Sequence, residues 1–347
     1  MNAKLIDVLM RAGMSVHTWV SPDDSAVLVL PHGGRILGLF TAGSDDNFFW
    51  THPALQAVES ARNFYQSKEW HNSGGDRTWL SPEVDFFMPA FPRIEPYFQP
   101  REFDPGCYKV SIEEDGLSLR TRFAAHLSRS TYSPQVELTK TLTSAANPLR
   151  HYKDSSISEL KYAGYTLQTQ LSLPDGPGLA QLNTWNLLQL PHGGDLVIST
   201  FSRTAVTPYF GDVSLTDLDV KDHYILYRMR SAGEHKFGVQ PDTVTGRVGY
   251  VRKFGETASL VIRNFLVNPS AEYIDVPWLT PDAPGSSIEV CNVNGTLGKF
   301  SELEYHAPAI GGATGLSASR DLSCTWAFAG PCDAIRTAVR ILLGAQL

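Results

Sequence analysis

The sequence is poor in cysteine. Its four residues, Cys107, Cys291, Cys324 and Cys332, are scattered over 347 positions and none forms a CxxC pair. That is too few for a disulfide framework and the wrong spacing for a cysteine-type zinc site, so buried reduced thiols are expected. Positive charge is thin as well. Lysine and arginine total 29 against 36 acids, giving a formal net charge of −7, and nowhere do they cluster beyond isolated pairs. Nucleic acid is excluded as an expected partner, because its recognition needs a basic patch or stripe. Long hydrophobic runs are missing too. The N-terminal MNAKLIDVLMRAGMSVHTW has Asp7 and Arg11 among its apolar residues, which suits neither a membrane span nor a signal peptide. The expectation is a cytoplasmic protein with no membrane partner.

Several catalytic motifs are lacking: GxGxxG after a strand, GxxxxGK[ST], GxSxG and HExxH. Dinucleotide redox chemistry, P-loop phosphoryl transfer, α/β-hydrolase catalysis and zincin proteolysis lose support. No cofactor is implied.

What is present is β-type sequence of ordinary globular hydrophobicity, 42%. Runs such as AVLVLPHGGRILGLF (26–40), YKVSIEEDGLSLRTRF (108–123), QVELTKTLTS (135–144), YTLQTQLSLP (165–174), DLVISTF (195–201) and ASLVIRNFLV (258–267) are punctuated by Gly, Pro, Asn and Asp. Asp115-Gly116 between alternating segments marks a hairpin. This spacing predicts a large all-β antiparallel sandwich with few peripheral helices rather than βαβ units. No linker divides it, so one domain over 1–347 is expected, with a short N-terminal extension over 1–20. Helices are expected over 2–12, over 53–66 with Pro53 in the first turn, and over 331–344, where Ile335, Val339 and Leu342 recur at helical spacing before Gly344. The pentapeptide LPHGG occurs at 30–34 and at 190–194. It hints at pseudo-symmetry between halves, although shared turn chemistry explains it equally well.

Polar residues lie beside aromatic ones in DDNFFWTHP (45–53), EWHNSGGDRTWLSPE (69–83), NTWNLLQLPHGG (183–194), HKFGVQPD (235–242) and SELEYHAP (301–308). Sugars are bound by such mixtures, which offer a ring plane to the C–H face and charged or amide groups to the hydroxyls. In the last segment Glu302, Glu304 and His306 alternate with Leu303, Tyr305 and Ala307, so on a strand the three ionisable side chains share a face. That face is either solvated or part of a site.

The order GGRILGL, NFFW-x-x-P, GGDRTWLSPE, W-x-L-x-Q-L-P, KFGVQPD, GRVGY and ELE-x-x-AP, over residues 25–330, resembles the galactose mutarotase-like proteins, above all a branch with a GG-x-R-x-W-x-x-PE segment. The resemblance implies a β-supersandwich whose concave polar face binds a carbohydrate. It also implies aldose 1-epimerase-type chemistry, in which a glutamate takes the proton from the anomeric hydroxyl while a histidine protonates the ring oxygen. Glu304 is the match to that glutamate, with Glu302 as the fallback. The family's histidine segment falls on NTWNLLQLP, which has Trp185 and no histidine, so His192 a few residues on, or His71 beside GGDR, would have to substitute.

Arg77 resembles the family's substrate-contacting arginine, and its fork of donors suits vicinal hydroxyls or a carboxylate or phosphate on the sugar. Asp76 and Glu83 would add acceptors. Trp79, two positions from Arg77, would place a stacking platform on the same side. The substrate-binding set is therefore Arg77, Asp76, Trp79, Glu83, His71, Trp185, Glu302 and His306, and the catalytic pair is Glu304 with His192. Blander readings stand beside these: an Arg77–Asp76 ion pair tying a Gly-Gly turn, Trp50, Trp79 and Trp185 as core, and His32 and His192 as turn residues. His71, Glu304 and His306 also read as metal ligands by type, but they lack a local ligand spacing and no metal is expected. A sugar or sugar derivative is the expected partner, with the oligomeric state open. The rivals to an epimerase are a non-catalytic carbohydrate-recognition protein and a glycan hydrolase or lyase relative.

Overall fold

Strands account for most of the regular structure in the computed structural model, which describes residues 3–130, 132–280 and 282–347. They form two large antiparallel sheets. In the first, the spatial order is His17–Val20, Ala26–Leu30, Arg35–Phe40, Asp76–Ser81, Gln181–Pro191, Gly298–His306, Ile288–Gly295, Gly233–Val239 and Thr207–Phe210, with the short Ile310–Gly311 added beside Gln181–Pro191. In the second it is Leu218–Val220, Tyr224–Arg228, Asp195–Thr200, Val244–Phe254, Thr257–Phe265, Ala318–Pro331, Lys161–Ser172, Gln135–Ser144, Gly116–Ala124 and Lys109–Glu113. The expected all-β double layer is what forms, with few helices.

One continuous core lies between the sheets. From the first sheet it takes Leu80, Leu188, Leu190, Val290, Leu303 and Phe237, and from the second Leu138, Leu167, Val248 and Val261, all buried. Because successive strand residues face opposite ways, every residue of the first sheet between two of these core positions is turned to its other face. That is the face on which the site is built. The helix Cys332–Leu343 lies outside the second sheet, where Ile335, Val339 and Leu342 cover Val197, Leu260 and Phe328. It ends at Gly344, whose left-handed φ of 67° makes the expected stop.

Residues 3–20 pack onto the first sheet. The helix Ala3–Arg11 buries Leu5, Val8 and Leu9 against Leu28, Leu30 and Leu37, and His17–Val20 pairs in register with Ala26–Leu30. The 53–66 segment starts as a 3₁₀ turn over Pro53–Gln56, with His52 Nδ1 accepting from Ala54 N, and continues as the helix Val58–Gln66. Lys109–Glu113 and Gly116–Ala124 form the hairpin expected at Asp115-Gly116.

The two LPHGG copies do different things. The first closes a hairpin within the first sheet, with Gly33 and Gly34 both at positive φ; the second carries the chain from Gln181–Pro191 in the first sheet to Asp195–Thr200 in the second, with only Gly193 at positive φ. The sequence repeat marks a common turn composition and not a structural duplication.

Gly74 and Gly75 lead into Asp76–Ser81, the strand that supplies Arg77 and Trp79. Gly75 has φ +75°, and a Cβ there would collide with Ile36 O of the neighbouring strand. Gly75→Ala is expected to cost about 1–3 kcal/mol through strained backbone, read as a lower denaturant midpoint at unchanged m-value.

Candidate functional site

The first sheet's registers place the polar residues in rows. Arg77, Leu187, Glu304 and Glu289 lie abreast on four adjacent strands, with Gln189, Glu302, Cys291 and Lys236 abreast in the next row and Trp79, Trp185 and His306 in the row on the other side. All are on the face away from the inter-sheet core. They underlie a cleft of about 460 Å³ whose floor includes Arg77, Glu302, Glu304, Cys291 and Lys236, and whose walls include the half-buried rings of Trp70, Tyr97, Phe210 and Trp278. A larger groove of about 580 Å³ lies elsewhere, but three of its four charged residues, Asp46, Glu159 and Lys161, are fully exposed to water. The smaller cleft, whose floor carries the buried Arg77, Lys236, Glu302 and Glu304, is the stronger candidate.

Lys236 organises the floor. Its Nζ is 2.5 Å from Glu289 Oε2, 3.3 Å from Glu304 Oε2 and 3.7 Å from Glu83 Oε2, and it stands 4.2 Å over the Trp185 ring. Burial disfavours the ammonium, yet Glu289, Glu304 and Glu83 more than compensate and hold its pKa well above the ordinary lysine value. The two nearest carboxyls respond in opposite directions. For Glu304, burial reinforced by the charges of Glu302, Glu289 and Glu83 outweighs Lys236 and pushes the pKa up to about 8. For Glu289, burial is outweighed by Lys236 and His306, and the pKa falls below the usual carboxylate range. The closer approach of Lys236 to Glu289 decides which carboxyl keeps the charge and which keeps the proton. Asp275, buried behind Glu289, rises well above its usual range through burial and the Glu289 charge.

Around Glu304, the Trp185 Nε1 donates to Oε2 at 2.7 Å, and no described residue bonds Oε1. Glu302 Oε1 accepts from Arg77 Nη2 and Gln189 Nε2, both at 2.9 Å. One carboxyl oxygen of Glu302 and one of Glu304 lie within 4.8 Å of each other. The Arg77 guanidinium stacks 4.2 Å over Trp79, and its Nε and Nη1 are buried without an acceptor. Glu83 opens the short helix after Asp76–Ser81 and accepts from Tyr97 OH at 2.7 Å and Trp278 Nε1 at 2.8 Å, fixing two wall rings.

The expected residues separate into two groups. Arg77, Trp79, Trp185, Glu83, Glu302 and Glu304 line one cleft, although they come from distant parts of the chain. Glu302, Glu304 and His306 share a strand face as expected, and that face is buried rather than solvated, with 6%, 2% and 0% exposure. Asp76 is on the wrong side of its strand. Adjacent residues alternate faces, so with Arg77 in the cleft Asp76 points between the sheets, where it is bonded by Arg263 and by Tyr165 OH. This also rules out the Arg77–Asp76 tie; Arg77 pairs with Glu302 instead.

His192 does not reach the cleft. It follows the end of Gln181–Pro191, and its Nε2 bonds Asn292 Oδ1 at 2.9 Å, on the opposite face of the strand Ile288–Gly295 from Cys291. His71 contacts His32 Nε2 at 2.9 Å and Ser67 O at 3.1 Å beside a separate depression. His306 is sealed against the stacked Trp185 ring, with Nε2 3.2 Å from Glu289 Oε1 and Nδ1 3.2 Å from Ser81 Oγ. None of the three histidines is placed to protonate a ligand in the cleft.

Trp79 and Trp185 are floor rather than platform, since their faces are occupied by Arg77 and Lys236. The half-buried wall rings are Trp70, Tyr97, Phe210 and Trp278, which sequence reasoning did not single out, and it missed Lys236, Glu289 and Gln189 as well. Lys236 was within sight, because HKFGVQPD is a β-type segment with a lysine flanked by core residues. Two donor groups by residue type, Asp275–Glu289–His306 and Cys291–Glu302–Glu304, have ligand atoms within 4.8 Å. The Lys236 ammonium, 2.5 Å from Glu289 and 3.3 Å from Glu304, already supplies positive charge to both, and no metal is assigned. No helix among the described residues is long and apolar enough to cross a membrane.

No family model matches this chain, and no curated protein does. Among solved structures it is similar to a galactose mutarotase-like protein from Lactobacillus casei ATCC 334, with 9% identity, TM-score 0.46, and coverage of 90% of this chain and 100% of that one. It is also similar to galactose 1-epimerase from Lactobacillus acidophilus NCFM, with 9% identity, TM-score 0.45, and coverage of 91% and 94%. A third similar structure is a GalM/aldose epimerase homologue from C. elegans, with 8% identity, TM-score 0.41, and coverage of 92% and 99%.

Proposed function

We propose that the cleft binds a pyranose-sized sugar and interconverts its anomers by acid/base catalysis between Glu304 and Glu302. The observation that supports this is a buried carboxyl, Glu304, within 4.8 Å of the Arg77-paired Glu302 at the floor of an aromatic-walled cleft. Glu304, with its pKa near 8, carries a proton at neutral pH and can deliver it to the ring oxygen. Glu302, paired with Arg77, is the carboxylate that takes the anomeric proton. The two oxygens involved are both bonded to the anomeric carbon, so neighbouring carboxyls on one strand face suit them. The C–O ring bond then breaks, the aldehyde turns, and closure returns each proton to its source.

This assignment reverses the role expected for Glu304, which was read as the base, and it needs no histidine. The paired carboxyls stand side by side on one surface rather than across a cleft from each other, which does not favour a glycosidase arrangement. Arg77 Nε and Nη1 are free to donate to sugar hydroxyls.

Polarimetry on freshly dissolved α-anomers of glucose, galactose and other aldoses tests the reading. The wild type is expected to accelerate mutarotation of at least one sugar over buffer; no acceleration across the panel would remove the catalytic proposal. Trp278→Ala, which removes a wall ring and one donor to Glu83, is expected to weaken sugar binding about tenfold, read by calorimetry as a raised Kd.

A further inference from the structure

We infer that the cleft selects a cationic ligand, a sugar carrying an amino group, over neutral or anionic sugars of the same size. The inference rests on the sugar-site reading above and adds the substrate's charge.

The charges lining the cleft are unbalanced. Glu83, Glu95, Glu234, Glu302 and Glu304 face only Arg77 and Lys236. Both cations are already engaged. Arg77 is bonded to Glu302 and stacked on Trp79, and Lys236 is enclosed by Glu289, Glu304 and Glu83. A phosphate or carboxylate on a ligand would find no unpaired positive charge. It would also meet Glu95 and Glu234 at the rim, neither of which makes an ion pair with a described residue. Glu95 is exposed and is therefore screened by salt, whereas Glu234 is half-buried and less so. Counting Glu304 as neutral leaves four carboxylates against two cations, so the sign does not depend on its proton.

The walls favour the same ligand. An ammonium is attracted to the face of an aromatic ring, and this protein uses that contact twice in its own floor, with Arg77 over Trp79 and Lys236 over Trp185, each at 4.2 Å. Trp278 and Tyr97 offer further rings at the opening, 6.3 Å apart, and Glu83 accepts a hydrogen bond from each. Each ring already stacks on a neighbour, Trp278 on Phe210 and Tyr97 on Phe87, so each offers a cation one remaining face, with the Glu83 carboxylate beside it.

This contradicts the anionic-sugar option that Arg77 raises in the sequence. Glu302 accepts from Nη2 alone, but its charge already offsets that of the guanidinium, so an anion at Nε and Nη1 would gain hydrogen bonds with little net attraction.

The test is calorimetric binding at mildly acidic pH, where an amino sugar is protonated, using glucosamine, glucose, N-acetylglucosamine, glucuronate and glucose 6-phosphate, with tetramethylammonium as a non-sugar cation. Glucosamine is expected to bind at least about tenfold more tightly than glucose. N-acetylglucosamine should behave as glucose does, and the two anions should bind more weakly still. The preference should shrink with added salt and in Glu234→Gln. Glucose or an anionic sugar binding as tightly as glucosamine would overturn the charge inference and leave the sugar site standing. Tetramethylammonium binding without any sugar would support cation selection and overturn the sugar reading. If no probe binds, both fall.

Discussion

Glu304→Gln is expected to slow anomer interconversion by about 10²–10⁴-fold while leaving the protein folded. The amide has the shape of the protonated acid and can still accept from Trp185 Nε1, but it has no proton to give. The prediction separates catalysis from binding, since polarimetric kcat should fall far more than sugar affinity. It also fixes a pH signature. In the wild type the rate should decline as pH rises past about 8, where Glu304 loses its proton, and the residual rate of the variant should lack that decline. The same shift has a stability sign. A carboxyl raised from 4.5 to about 8 on folding favours the native state below its unfolded pKa, and that contribution is lost as pH climbs through 8. Glu304→Gln should therefore flatten the stability profile between about pH 4.5 and pH 8, measured by urea denaturation at each pH.

Lys236→Met is the second large effect. The ammonium is buried against Glu289 and Glu304 and near Glu83, with 2% of its side chain exposed. Its removal takes from the buried, ionised Glu289 its closest cation, and deleting one partner of a buried pair costs about 3–5 kcal/mol. The loss should be greatest near neutral pH and shrink on acidification. Glu289, which is held ionised below its usual range chiefly against burial by Lys236 and His306, can then take up a proton. Denaturant midpoints at neutral and mildly acidic pH read this directly. A variant as stable as the wild type at both would mean that the floor is not held together by this charge.

How much of this was visible in the sequence depends on whether the information was local. Strand alternation placed Glu302, Glu304 and His306 on one face, and Arg77 with Trp79 on another stretch of the same surface, because a period of two is set by the backbone itself. The same rule puts Asp76 on the face opposite to Arg77, which the expectation of Asp76 as an acceptor in the site did not apply. Its partner there, Arg263, lies 187 positions away and had no local signal. The C-terminal helix was legible in the spacing of Ile335, Val339 and Leu342, and its stop in Gly344. The N-terminal strand His17–Val20 was not, since a short half-exposed edge strand has little pattern to read.

The acid/base assignment was beyond sequence for a different reason. Whether Glu304 or Glu289 keeps its proton depends on a difference of less than 1 Å in their distances to Lys236, which comes from a third strand. Likewise Tyr97 and Trp278 become wall residues only because the segments after Glu83 and Asp275 fold over the first sheet and meet at the Glu83 carboxylate. The search for a histidine acid failed on the same ground: histidines were available in the chain, but His71, His192 and His306 are each bonded elsewhere.

The central claim is that a carboxyl on the cleft floor holds its proton at neutral pH. The direct measurement is a pH titration of ¹³C-labelled glutamate carboxyls by NMR, with the Glu304 resonance identified by its absence in Glu304→Gln. A midpoint near 8 is predicted. A midpoint at the ordinary glutamate value of 4.5 would contradict the account.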